Sequence, residues 1–128
     1  MIVAGFGFRR EAGLAALRDA LALAQRGQPP VTALATAADK AEQLAALAEM
    51  LRLPLIAIAP DVLEAIQTPT RSPASLAARH SGSVAEACAL AAAGFGSKLL
   101  TSRHISGDRM ATCAIAQAIT PHIIRQGA

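Results

Sequence analysis

Apolar residues recur along this chain in two alternating rhythms, short β-prone runs and longer stretches at helical spacing, and that alternation predicts an α/β fold. The first run begins Met1-Ile2-Val3-Ala4, breaks into Gly5 and Gly7, and meets Arg9 and Arg10, which is the pattern of a strand, a tight loop and a helix start. Leu14, Leu17, Leu21 and Ala24 then repeat as one helical face, and Gly27 with Pro29 and Pro30 ends the helix. Residues 31–37 predict a second strand. Asp39 is a candidate N-cap for a second helix with Leu44, Leu47, Ala48 and Leu51 as its apolar stripe, closed by Pro54. The continuous apolar run 55–59 predicts a strand covered on both faces, and Pro60 with Asp61 starts a short helix through Ile66.

The rhythm breaks at residues 67–73, where two prolines among small polar residues form either a linker or a lid over a site, the lid being the preferred reading. Residues 74–79 predict a helical turn. Ser83 followed by Glu86 has the spacing of a capping box, launching an alanine-rich helix that stops at Gly94. Two strand-like runs, 98–105 and 110–118, flank Ser106-Gly107-Asp108-Arg109 and predict an antiparallel hairpin. The whole predicts a three-layer α/β/α domain with a mixed, mostly parallel sheet of about five strands ending in that hairpin. Residues 1–120 form the expected domain, with 121–128 as a C-terminal tail that has little to pin it.

Composition narrows the partners. The chain has 128 residues, 53% of them hydrophobic, yet no Trp, no Tyr and only three Phe, so its core is aliphatic and alanine-rich. A base-stacking nucleic-acid surface needs aromatics that are missing here. The formal net charge of +3 is spread without a dense basic run, which suits an acidic small molecule and argues against a nucleic-acid partner. Cys88 and Cys113 are far apart and without metal-ligand or disulfide-framework spacing; both read as small buried hydrophobes in a reducing cytoplasm. The N-terminal apolar run is too short to span a bilayer, and its arginines follow it where a secretory signal would have them precede it, so no membrane association is expected.

The first candidate site is the strand-loop-helix junction. Gly5 and Gly7 would let the backbone approach a ligand, a helix N-terminus offers N–H groups, and Arg9 and Arg10 add fixed positive charge; the alternative is a plain turn beside solvated arginines. A dinucleotide loop is disfavoured because Arg10 stands where the third glycine would be. Lys40, Glu42, Thr70, Arg71 and Ser83 all fall where an α/β sheet presents the carboxyl ends of its strands. Glu86 either caps its own helix or faces a ligand. His104 is the histidine placed nearest a site, the alternative being an exposed strand residue. His80, His104 and His122 show no ligand spacing, so neither a metal nor a cofactor is expected, and no nucleophile-base pair is visible from which to assign catalytic residues.

Four segments carry a family resemblance: Gly5-Phe6-Gly7-Phe8-Arg9-Arg10, Leu34-Ala35-Thr36 with Lys40-Ala41-Glu42, Thr70-Arg71-Ser72-Pro73, and Ser83-Val84-Ala85-Glu86-Ala87-Cys88-Ala89-Leu90. In these, over nearly its whole length, the chain resembles the CobE proteins of cobalamin biosynthesis and the C-terminal domain of CbiG. The resemblance implies a three-layer α/β domain acting in corrin-ring assembly. Larger CbiG proteins open a lactone on a cobalt-precorrin and release acetaldehyde, but they carry additional N-terminal domains, and a free-standing domain resembles CobE instead. The implied role is to bind or hand on a precorrin or hydrogenobyrinic-acid-type intermediate. The alternatives are an enzyme acting on the macrocycle, a lactone-hydrolase-like activity with Lys40, Glu42 or His104 as acid or base, and a non-catalytic module that organises other cobalamin-pathway enzymes. The family often has Cys in place of Phe8 and Gly in place of Glu11, so no thiol role in the first loop carries over, and Arg103 supplies the charge of a family lysine without its geometry. Such a ligand is a flat apolar macrocycle rimmed with carboxylates, for which Arg9, Arg10, Lys40 and Arg71 could form a basic rim.

Overall fold

A computed structural model of the chain describes residues 1–66, 68, 83–94 and 96–118. The elements follow the predicted alternation: β1 (Ile2–Phe8), α1 (Leu14–Gln25), β2 (Ala33–Ala37), a 3₁₀ turn (Ala38–Lys40), α2 (Ala41–Leu51), β3 (Leu55–Ile58), α3 (Pro60–Ala65), α4 (Val84–Ala93), β4 (Lys98–Ile105) and β5 (Ala111–Gln117). The expected loop or lid at 67–73 (Thr68 apart), the helical turn at 74–79 and the tail at 121–128 lie outside the described residues.

The five strands form one sheet in the order β3-β2-β1-β5-β4. β1 pairs in parallel with β2, and β2 with β3, while β5 is antiparallel to both β1 and β4. Four strands therefore point the same way and β5 alone is reversed, which is the mixed, mostly parallel sheet that the rhythm predicts. α1 and α2 cover one face, where Leu17, Leu44 and Leu47 pack with Phe6, Leu34 and Ile115. α3 and α4 cover the other, where Leu63, Ala87, Cys88 and Ala89 pack with Val3, Ala35 and Ile58. Both cysteines are buried, one on each side of the sheet and with no disulfide between them, and burial pushes the Cys113 thiol pKa up.

Three local readings are corrected. The apolar run does not break at Gly5 and Gly7: the strand continues to Phe8, because β1 lies in the middle of the sheet with β5 paired to it from Ile2 to Phe8. Asp39 does not cap α2 but sits inside the 3₁₀ turn, and Lys40 holds the N-cap position. The 55–59 run packs on both faces, Leu55 on the α1/α2 side and Ile56 and Ile58 on the α3/α4 side, but is less deeply buried than expected. Among the described residues β3 is an edge strand, paired on one side alone, with Ala57 exposed and Leu55 and Ile56 only half-buried.

The glycines have a packing reason. α4 lies so close to β1 that a Cβ added at Gly5 would collide with the Ala85 carbonyl oxygen and the Ala89 nitrogen, backbone atoms that cannot rotate away. At Gly7 the added carbon would meet Thr112 Oγ1 and Val84 Cβ, each at 3.1 Å, a milder crowding of side chains. Gly5→Ala is therefore expected to destabilise the protein by about 3 kcal/mol or more, and Gly7→Ala by less than half as much. Urea midpoints of the two variants check this; equal shifts would contradict the packing reason.

Candidate functional site

β1 to β4 run together, so Phe8, Ala37, Ile58 and Ile105 all end at one edge of the sheet. In sheets of this kind ligands bind at that carboxyl edge, where the strand order reverses. Here the chain steps outward from β1 to β2 and β3, then returns past β1 to build β4 and β5 on its other side. The reversal falls at β1, and the turn that follows β1 is the arginine turn.

Side-chain donors wrap the end of β1. Thr36 Oγ1 donates to the Phe6 carbonyl at 2.9 Å, Thr112 Oγ1 to the Gly7 carbonyl at 3.0 Å, and Lys40 Nζ to the Phe8 carbonyl at 2.9 Å. The Lys40 ammonium also stands 5.2 Å from the centre of the Phe8 ring, a cation–π contact. Beyond Phe8, Ala12 N–H donates to the Arg9 carbonyl at 2.9 Å, closing a β-turn with Arg10 and Glu11 at its tip. Gln43 Nε2 donates to the carbonyls of Arg10 at 2.8 Å and Ala12 at 3.0 Å, with Arg9 more distant at 3.4 Å. Arg9 N–H donates to the Met110 carbonyl at 2.9 Å, tying the turn to the hairpin. Arg9 and Arg10 are both exposed.

The sequence-predicted residues thus separate. Arg9, Arg10, Lys40 and the exposed Glu42 gather around the turn and the start of α2, and Glu42 suits the first turn of that helix electrostatically. Gly5 and Gly7 face α4. Ser83 is buried and spends its hydroxyl on α4, accepting from Glu86 N–H at 3.3 Å. His104 shares the register position of Cys113, on the face covered by α1, and its Nε2 is 2.8 Å from Thr101 Oγ1. Thr70 and Arg71 lie outside the described residues. Gln43, Thr36 and Thr112 were missed as site-building residues, because a lone Gln or Thr at a helix or strand position carries no sequence signal until its carbonyl partners are known. Among the described residues, no group of three or more His, Cys, Asp or Glu could hold a metal ion, and no helix is long and apolar enough to cross a membrane. A shallow apolar depression of about 360 Å³ between α3 and the end of α4, lined by Val62, Ile66, Leu90 and Gly94 among others, contains none of the predicted residues.

Glu86 is fully buried. Its carboxylate accepts the Arg103 N–H at 3.0 Å, at a point where β4 carries an extra residue against β5 between Thr101 and His104. A bulge of this kind takes a backbone donor out of the ladder, and a buried donor needs another acceptor. Glu86 supplies it, so α4 is fastened to the edge strand as well as packed on the sheet.

Residues 2–116 match the family described as Cobalamin synthesis G C-terminus. The chain belongs to this family. CobE, a protein from the cobalamin (vitamin B12) biosynthetic pathway, has a solved structure that is 32% identical over 94% of this chain and 92% of its own, with a TM-score of 0.80. Cobalamin biosynthesis protein chiG from Agrobacterium tumefaciens str. C58 is 40% identical, over 94% of this chain and 100% of its own, with a TM-score of 0.72. A cobalamin biosynthesis protein G homolog from Sulfolobus solfataricus shares the fold alone, at 21% identity and a TM-score of 0.71 over 92% of this chain and 37% of its own. No curated protein sequence matches. This member of the CbiG C-terminus family is a cobalamin biosynthesis protein of the CobE/CbiG type with a mixed five-stranded α/β fold.

Two outcomes follow from the contacts around the site. Glu86→Ala leaves the Arg103 N–H without this acceptor and opens a void, and is expected to cost about 2 kcal/mol or more, whereas Glu86→Gln keeps a carbonyl acceptor and costs less; urea unfolding of both variants measures the difference. In the hairpin turn, the Ser106 hydroxyl, 2.6 Å away, and the Met110 N–H, 3.0 Å away, hold the Asp108 carboxyl below its ordinary value of 3.8. A carboxyl lowered on folding contributes stability above its unfolded pKa and loses it as pH falls through the folded one. The Asp108 carbon resonance is expected to titrate below 3.8, and Ser106→Ala to move that midpoint upward.

Proposed function

We propose that this domain binds a carboxylated corrin-ring intermediate of the cobalamin pathway, a precorrin or hydrogenobyrinic-acid-type molecule, at the carboxyl edge of its sheet, and holds it or hands it on. The observation that carries this reading is the arginine turn: two exposed guanidinium groups on a turn tied down from three sides, at the point where the strand order reverses. A corrin intermediate offers an apolar disc edged with carboxylates, and guanidinium groups pair with carboxylates through two parallel hydrogen bonds. Lys40 adds positive charge beneath the turn. Thr70 and Arg71 are proposed as further ligand contacts on the family resemblance of their segment alone.

Membership in the CbiG C-terminus family and likeness to CobE support the ligand class. Binding is favoured over turnover because Lys40 and His104, two of the acid–base candidates, each have a structural partner, Phe8 and Thr101. The cytoplasm is the proposed location, and other cobalamin-pathway enzymes are the proposed donors or recipients of the ligand.

Titration of the protein with cobyrinic or hydrogenobyrinic acid, followed by visible absorbance, is expected to show a saturable shift. The double variant Arg9→Ala, Arg10→Ala is expected to weaken it roughly tenfold or more. No shift at high micromolar concentration overturns the reading. An altered ligand mass after incubation points to turnover instead. Unchanged affinity in the double variant, together with a stable complex with another pathway enzyme, points to an interaction module.

A further inference from the structure

Gln43 is the third residue of α2, where a glutamine commonly turns back to its own helix start. Here its terminal group reaches across to the arginine turn and meets three carbonyl oxygens, those of Arg9, Arg10 and Ala12. Three acceptors around one atom require that atom to be the amide nitrogen, which has two N–H groups to give. The two short contacts, to Arg10 and Ala12, use both of them.

This arrangement orients the turn. In a planar trans peptide the N–H of one residue points opposite to the carbonyl of the residue before it. With the Arg9 and Arg10 carbonyls drawn toward α2, the N–H groups of Arg10 and Glu11 point away from it, and neither meets an acceptor among the described residues. Carbonyl oxygens, which repel an anion, are held on the α2 side of the turn, and N–H groups, which attract one, are left on the other. Lys40, three residues earlier, does the same for the Phe8 carbonyl, so the start of α2 grips the turn with two prongs.

We infer that Gln43 is the positioning residue that gives the Arg9–Arg10 turn its preference for carboxylates, by turning the backbone carbonyls of the turn away from the ligand. The inference rests on the corrinoid reading above. It assigns to a glutamine, which does not touch the ligand, control over which ligands bind.

The test compares wild type, Gln43→Ala and Gln43→Glu, using cobyrinic acid as the carboxylated probe and cobinamide as its largely amidated counterpart. Wild type is expected to prefer cobyrinic acid by roughly tenfold or more, and Gln43→Ala to reduce that preference severalfold by weakening cobyrinic acid more than cobinamide. Gln43→Glu has the same shape, but an ionised carboxylate cannot donate to carbonyls. Its preference is therefore expected to be lost at pH 8 and to recover toward pH 5 as the carboxyl protonates, a pH profile that Gln43→Ala does not share. Amide exchange at Ala12, measured by NMR without ligand, is expected to quicken roughly tenfold in both variants at pH 8. Wild-type binding with an unchanged preference in both variants, or unchanged Ala12 exchange, overturns the inference and leaves the corrinoid reading standing. Failure of wild type to bind either probe overturns both.

Discussion

The close seating of α4 on β1 is the contact on which the rest of this domain depends. An α-helix stands about 10 Å from a sheet when ordinary side chains separate them; here Gly5 and Gly7 below and Ala85 and Ala89 above remove that spacer. The stretch Ala85–Ala89 is buried at every position, so the helix cannot move outward without opening the core. A short distance in the layer is matched by small residues on both sides of it, which explains why a chain with so few aromatics still builds two filled cores. Glu86 adds a polar fastening in the same place, holding the edge strand where its bulge frees the Arg103 N–H.

Because β1 is fixed from the α4 side, its end is a firm base on the other. Thr36, Thr112, Lys40 and Gln43 come from β2, β5, the 3₁₀ turn and α2, and between them they engage the carbonyls of Phe6, Gly7, Phe8, Arg10 and Ala12. The arginine turn is therefore part of the scaffold in its backbone and part of the solvent in its side chains. Such a combination is what recognition of a carboxylate-rimmed ligand requires, since charged groups on a loose loop lose the ordering entropy that a held turn has already lost.

The alternation of apolar runs made the element order readable, since strand and helix periods differ and prolines and glycines mark their ends. Charge made the arginine turn readable as a candidate. What escaped was the purpose of Gly5 and Gly7, because a glycine beside arginines looks the same in sequence whether it opens toward a ligand or toward a helix eighty residues away in the chain. Gln43 escaped for a related reason: an amide side chain on a helix acquires meaning only from acceptors that folding brings to it. The edge status of β3 also lay beyond reach, because an apolar run does not reveal how many neighbours a strand has.

By itself the sequence determined the α/β class, the final hairpin, the start and stop of α4, and membership in a cobalamin-biosynthesis family, since each rests on local pattern or on segments read in order. Only the tertiary structure decided the strand order, the sorting of the candidate residues between the α4 contact and the arginine turn, and the carbonyl grip of Lys40 and Gln43. Those features are contacts between residues distant in the chain, and local sequence chemistry specifies what a group can donate or accept without specifying which partner it will meet.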